Sequence, residues 1–180
     1  MNRLGILALG LLIGGCATLP YSSPQATAEL KNTKGDVVGV AAFWEDEGSV
    51  RVFADVRGIA PGQHGIHLHA VGKCEPPDFT SAASHFNPEG KKHGLLSPQG
   101  PHAGDLPNLD VAADGTGQLN YPVRGVTLGS GPGSLFDADR TAVVIHAGPD
   151  DYKTDPAGNS GARIACGVIQ KVPQAAGKPS

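Results

Sequence analysis

Gly62-Gln63-His64-Gly65-Ile66-His67-Leu68-His69 is the stretch from which the rest of the chain can be read. Side chains alternate across a strand, so His67 and His69 share one face while Ile66 and Leu68 share the other. That parity describes a strand with an apolar side for a core and a histidine side offering two imidazoles to a transition metal. His64 has the opposite parity and is left out of the pair.

Working upstream, Ser49–Val56 alternates in the same way, with Val50, Val52, Ala54 and Val56 opposed to Arg51, Phe53 and Asp55. Residues 26–32 and 37–44 are further short strands, bounded by Lys34-Gly35-Asp36 and Asp46-Glu47-Gly48. Downstream, regularity stops between residues 71 and 107, where Gly and Pro recur and His85, His93, His102 and Asp105 fall. A structureless stretch that long inside a compact domain is functional or disordered, and ligand side chains can order it around a metal. Strands resume at 109–113, 117–122, 141–146 and 163–170, with a second irregular stretch at 147–162. Eight short strands and no helix predict an all-β fold: an eight-stranded Greek-key flattened barrel or immunoglobulin-like sandwich with two long functional loops.

Composition agrees. The chain of 180 residues carries 26 Gly and 15 Pro, which suits turns between strands more than helices. With 14 basic and 17 acidic residues the formal net charge is −3, which argues against nucleic acid as a partner.

The N-terminus reads as targeting rather than structure. Arg3 precedes an apolar run over residues 4–13 that is too short to span a bilayer. The run ends in Leu12-Ile13-Gly14-Gly15-Cys16, which resembles a bacterial lipoprotein box. The expected organisation is a signal peptide over residues 1–15, a lipidated Cys16 with a tether to residue 25, a domain over 26–172 and a tail over 173–180. The chain is therefore expected in the cell envelope or periplasm, anchored to a membrane through Cys16. Of three cysteines, lipidation would remove Cys16 and leave Cys74 and Cys166 to pair.

Six histidines and one aspartate remain as candidate ligands once His64 is set aside: His67, His69, His85, His93, His102, His146 and Asp105. Imidazoles alone suit Cu(II), whereas three imidazoles and a carboxylate suit Zn(II). A two-metal division would need His85 to be shared.

At these residues the chain resembles the copper/zinc superoxide dismutases, in particular the exported bacterial members. The resemblance runs from about residue 26 to 169. It rests on His64-Gly65-Ile66-His67-Leu68-His69, His85-Phe86-Asn87-Pro88, Lys92-His93-Gly94, His102-Ala103-Gly104-Asp105-Leu106, Val144-Ile145-His146 and Arg163-Ile164-Ala165-Cys166-Gly167-Val168-Ile169. The resemblance implies one copper on His67, His69, His85 and His146, and one zinc on His85, His93, His102 and Asp105. It implies a Cys74–Cys166 disulfide, and Asp150 as a carboxylate that hydrogen-bonds one ligand of each metal. It implies a superoxide dismutase in which Arg163 docks the small anionic substrate and His85 carries a proton. Asp151 and Asp155 are expected to be solvated loop acids.

Superoxide dismutases are a standard example of electrostatic steering. Lys153 is the candidate steering residue here, with Lys73, Lys91 and Lys92 as alternatives. The loop over 147–162 differs from the charged loop of eukaryotic members, and Ala157 stands where those often place a channel-lining Thr. A homodimer is left open. The competing reading is a copper- or zinc-binding module without activity. Such relatives usually lose copper ligands or the arginine, which this chain keeps.

Overall fold

The structure, a computed structural model, describes residues 23–173. The expected signal peptide, Cys16 and most of the tether and tail lie outside those residues. Ten strands follow in chain order: β1 Ala26–Asn32, β2 Val37–Asp46, β3 Ser49–Val56, β4 Gly62–His64, β5 Ile66–His69, β6 Leu109–Val111, β7 Gly117–Val123, β8 Ala142–His146, β9 Arg163–Val168 and β10 Gln170–Lys171. Among the described residues there is no α-helix, only a single 3-10 turn at Thr80–Ala82.

The ten elements reduce to the expected eight strands because two of those strands are interrupted. β9 and β10 are separated by Ile169 alone. β4 and β5 are halves of the histidine stretch, parted at Gly65. The sheet runs β4-β6-β7-β3-β2-β1-β9-β8-β5, so its two ends are those two halves. β4 pairs with β6 through His64↔Leu109, and β5 pairs with β8 through Ile66↔Ile145 and His67↔Val144. One continuous piece of chain thus seals the barrel by changing partner at a glycine. A Cβ on Gly65 would meet Ser160 Oγ at 2.7 Å, so only glycine allows the loop to pack against this switch. The connections β3→β4 and β7→β8 both pass over intervening strands, which makes the topology a Greek key.

Strand parity places the core. Val50, Val52, Ala54 and Val56 of β3 are buried, as are Ile66 and Leu68 of β5. They pack with Leu30, Phe43, Leu109, Leu119 and Ile145 in one cluster inside the barrel. A smaller cluster sits outside: Phe79, Ala82, Ala142, Val144 and Cys166, with Cys74 against it. This cluster fastens the first long loop to the outer face of β8 and β9. The disulfide Cys74–Cys166, with an S–S distance of 2.00 Å, does so covalently.

Candidate metal centre

β5 turns His67 and His69 outward from the barrel, yet both are buried, because the two long loops cover that face. His85 is drawn to the strand by a bridge to His69, and Asp105 by a bridge to His67. His146 comes from the end of β8, where its partner on β9 is Arg163. His93 and His102 come from the loop between β5 and β6. All seven candidate ligands are buried, and they fall into two groups whose ligand atoms lie within 4.8 Å of one another. The first is His67, His69, His85 and His146; the second is His85, His93, His102 and Asp105. His85 belongs to both.

Hydrogen bonds fix which nitrogen of each ring is available. His67 donates from Nε2 to Asp150 Oδ2 at 2.8 Å, His69 from Nδ1 to Ala83 O at 2.9 Å, and His146 from Nδ1 to Gly161 O at 3.1 Å. Each has its other nitrogen buried with no partner: His67 Nδ1, His69 Nε2 and His146 Nε2, joined by His85 Nε2. A buried polar atom without a partner is costly, and four of them aimed into one space fit a cation with nitrogen ligands.

The second group is different. Asp105 Oδ1 lies 2.9 Å from His85 Nδ1, 3.0 Å from His93 Nδ1 and 3.3 Å from His102 Nδ1. These separations match the edges of a tetrahedron around an ion bound at 2.0–2.1 Å, which are about 3.3 Å long. The other oxygen, Oδ2, is occupied by the backbone N–H groups of Gly94 at 2.8 Å and His102 at 3.0 Å. Three imidazoles and one carboxylate oxygen are the donor set that zinc takes.

The protonation pattern follows from the same contacts. Burial, aided by the neighbouring imidazoles, lowers His67 to about 3 and His146 to about 4 against opposing hydrogen bonds. His69 is lowered to about 2 by burial and the charge of His85, and His85 is also lowered, again by burial. His93 is the exception. Burial opposes its charge, but hydrogen bonds to Asp105 and Asp150 outweigh that and raise it to about 9. Burial likewise opposes ionisation of Asp105 and Asp150, yet their histidine partners hold both carboxyls well below the usual range.

Asp150 touches both groups: besides His67 it accepts from His93 Nε2 at 3.0 Å on Oδ1. What holds Asp150 has no signal in the sequence. Asn108 grips its backbone twice: Asp150 N–H donates to Asn108 Oδ1 at 2.8 Å, and Asn108 Nδ2 donates to Asp150 O at 2.9 Å. Gly158, at φ +61°, lies against the carboxylate. A Cβ there would fall inside Asp150 and 2.7 Å from His93 Nε2.

Asp155 is exposed, as the sequence predicts, but it also has partners on the other loop. It accepts the His93 N–H at 2.8 Å and pairs with Lys92 at 3.0 Å, clamping one loop to the other. Asp151 is exposed and caps its own loop through Thr154 and Asn159. His64 stays out of the cluster, buried with its ring nitrogens 2.8 Å from Ala60 O and 2.8 Å from His146 O. Among the alternatives for steering, Lys91 and Lys92 are paired with Glu89 and Asp155, while the Lys153 side chain is exposed. Arg163 is half-buried beside the first group. It donates from Nη1 to Phe79 O at 2.7 Å and from Nη2 to Ala83 O at 2.6 Å.

Comparison with known proteins agrees with this architecture. A family model described as copper/zinc superoxide dismutase matches residues 37–169. The protein named superoxide dismutase [Cu-Zn] 2 from Aquifex aeolicus is 48% identical over 166 residues, covering 89% of this chain and 97% of that one. The Caulobacter vibrioides superoxide dismutase [Cu-Zn] is 40% identical over 166 residues, covering 91% and 95%. The crystal structure of a superoxide dismutase-like protein from Bacillus subtilis superposes with a TM-score of 0.76 at 39% identity, covering 79% of this chain and 96% of that one.

Proposed function

The chain belongs to the copper/zinc superoxide dismutase family, and from that premise we propose how its own residues perform dismutation. The reading rests on one observation above others. Four buried imidazole nitrogens without partners face one space, and the ring that contributes one of them, His85, offers its second nitrogen to the tetrahedral group beside it. On this reading His67, His69, His85 and His146 hold copper, and His85, His93, His102 and Asp105 hold zinc. Bound copper supplies one-electron redox chemistry, by which one superoxide is oxidised to oxygen and a second is reduced, with two protons, to hydrogen peroxide.

The residues do the rest. Arg163 keeps its charge at all relevant pH values and presents the free edge of a guanidinium whose two nitrogens are anchored to carbonyls, which suits docking a small anion. His85 Nε2 is the atom at which a proton is held and passed to the reduced product. Asp150 fixes the tautomers of His67 and His93 by accepting from both Nε2 atoms, so that each Nδ1 is free for metal. Lys153 is the proposed steering residue for the approaching anion.

The enzyme is further proposed to act in the cell envelope, lipid-anchored at Cys16 and protecting that compartment from superoxide. The support is the apolar run ending in Gly14-Gly15-Cys16. Retention of the full chain in the membrane fraction, and its release by Cys16→Ser, tests that part.

The central test is metal content and dismutation on one purified sample loaded with both metals, beside His146→Ala. One copper and one zinc per chain with fast turnover, and a variant that keeps zinc but has no activity, is the expected result. Full activity in His146→Ala would refute the copper assignment. Metal binding without turnover would make the protein a binding module.

A further inference from the structure

The chain enters the fold at Gln25, and three hydrogen bonds fix that point. Gln25 N–H donates to Phe43 O at 2.9 Å, Gln25 O accepts from Val172 N–H at 2.9 Å, and Gln25 Oε1 accepts from Glu45 N–H at 2.5 Å. The entry point therefore lies at one pole of the barrel, beside the ends of β2 and β10. Arg163 lies at the other end of the same strands. Pairing with β1 keeps step along β10 and β9, from Ala26↔Lys171 through Lys31↔Cys166 to Asn32↔Ala165, and Arg163 is two residues further on. The eight steps from Lys171 to Arg163 amount to roughly 26 Å at the rise of a strand. Cys16 stands seven residues before Ser23, which limits their separation to about 25 Å whatever path joins them. A chain anchored at Cys16 thus keeps the Gln25 pole near the lipid. Turning the Arg163 end to the bilayer would take the whole reach of the tether, before any room is made for the loop over 147–162 that re-enters the sheet there.

The pole carries groups suited to a headgroup surface. A cleft of about 680 Å³ opens there, with Phe136, Asp137, Arg140, Gln170 and Lys171 in its lining. Lys171 Nζ lies 4.7 Å from the centroid of the Phe136 ring. Arg140 and Lys171 are exposed and stand in no ion pair among the described residues, against one acid of the lining, Asp137. Two other acids at this pole are already engaged: Asp46 pairs with Arg51 at 3.1 Å, and Glu45 accepts from the Thr127 hydroxyl and, at 3.1 Å, from Leu128 N–H. An aromatic ring with cations beside it suits the boundary between lipid and water, where the ring meets apolar surface and the cations meet phosphate. We propose that this pole rests on the bilayer, with Arg140 and Lys171 against the phosphates of phospholipid headgroups, and that Arg163 is thereby held in the aqueous compartment. This inference rests on the anchoring at Cys16 given above. The tether supplies the proximity, so two individually weak contacts suffice to set the orientation. Superoxide then reaches Arg163 from the aqueous side.

The single tryptophan, Trp44, is half-buried at this pole next to Phe43, so its emission reports the distance to lipid. The full chain is placed on vesicles of phosphatidylethanolamine and phosphatidylglycerol, a fraction of whose headgroups carry a nitroxide quencher. Trp44 is expected to lose most of its emission relative to unlabelled vesicles. Trp44→Phe/Lys34→Trp moves the reporter to the exposed turn that follows Asn32 at the Arg163 end, and is expected to keep its emission. Arg140→Gln/Lys171→Gln is expected to abolish most of the quenching of Trp44. Equal quenching at the two reporter positions, whether strong or absent, or stronger quenching in the Lys34→Trp chain, would overturn the orientation. Undiminished quenching of Trp44 in Arg140→Gln/Lys171→Gln would overturn the headgroup contact. A chain that carries no lipid of its own would refute the anchoring, and coupling a maleimide lipid to Cys16, the one cysteine outside the Cys74–Cys166 bond, would still put the pole to the same test.

Discussion

Opening the Cys74–Cys166 bond tests how the first long loop is held and what that loop does for Arg163. The bond joins residues 92 apart in sequence. In the chain-entropy account a closed loop of that length stabilises the folded state by about 4–5 kcal/mol. That is a large part of the ~5–15 kcal/mol by which a domain of this size is stable, and it corresponds to a Tm change of about 10–20 °C. Reducing the metal-free protein leaves both sulfurs in place, so no cavity forms and the measured loss is the cross-link alone. A Cys74→Ala/Cys166→Ala double variant adds the truncation of Cys166, which is only 1% exposed among Phe79, Ala82, Ala142 and Val144, and should lose slightly more. Denaturant unfolding of oxidised, reduced and double-variant protein, extrapolated to water, gives the three values. The loop between the cysteine and His85 also carries Phe79 O and Ala83 O, so the loaded double variant should keep its metals while KM for superoxide rises. A reduced protein within about 1 kcal/mol of the oxidised one would refute the reasoning, because the loop would then be held by its outer cluster and not by the cross-link.

Stability of the metal-free protein should peak near pH 6.5. His67, His69 and His146 stay neutral in the fold down to about 3, 2 and 4, against an ordinary imidazole value of 6.5. Their contribution is therefore complete above pH 6.5 and is lost as pH falls below it, by up to about 4 kcal/mol per pH unit for three protons. His93, raised to about 9, works the other way: its contribution is complete below 6.5 and is lost as pH rises through 9. Zinc removes the alkaline limb, since a ligated His93 is neutral; a metal-free Tm that climbs steadily from pH 6.5 to 9 would contradict this. Gly158→Ala should cost about 1–3 kcal/mol from its φ of +61° alone and weaken zinc about 10–100-fold by displacing Asp150, as measured by chelator competition. Arg163→Ala should lower the dismutation rate about tenfold or more and flatten its dependence on ionic strength without displacing copper; an unchanged rate would remove Arg163 from docking.

Much of this protein is written locally in its sequence. Alternation at Val50, Val52, Ala54 and Val56, and at Ile66 and Leu68 against His67 and His69, is enough to fix which face of each strand meets the core, because strand parity depends only on neighbours. The candidate histidines, Asp105, Cys74 and Cys166 are legible as residue types that can ligate a metal or form a disulfide, and the resemblance to the family supplied their assignment.

Tertiary structure alone decided the rest. The switch of partner at Gly65, which seals the barrel, depends on β6 and β8 arriving on opposite sides of one chain segment. Asn108 meets Asp150 across 42 residues, and Gly158 earns its identity only from a carboxylate packed against it. Asp155, an exposed loop acid as its sequence neighbours describe, also clamps His93 across 62 residues. Ala83 reads as an ordinary small residue until the fold brings Arg163, 80 residues away, and His69 onto its carbonyl oxygen. Periodicity and ligand chemistry act through side-chain identity at each position, whereas backbone carbonyls, close approaches and hydrogen-bond partners exist only once distant segments have met.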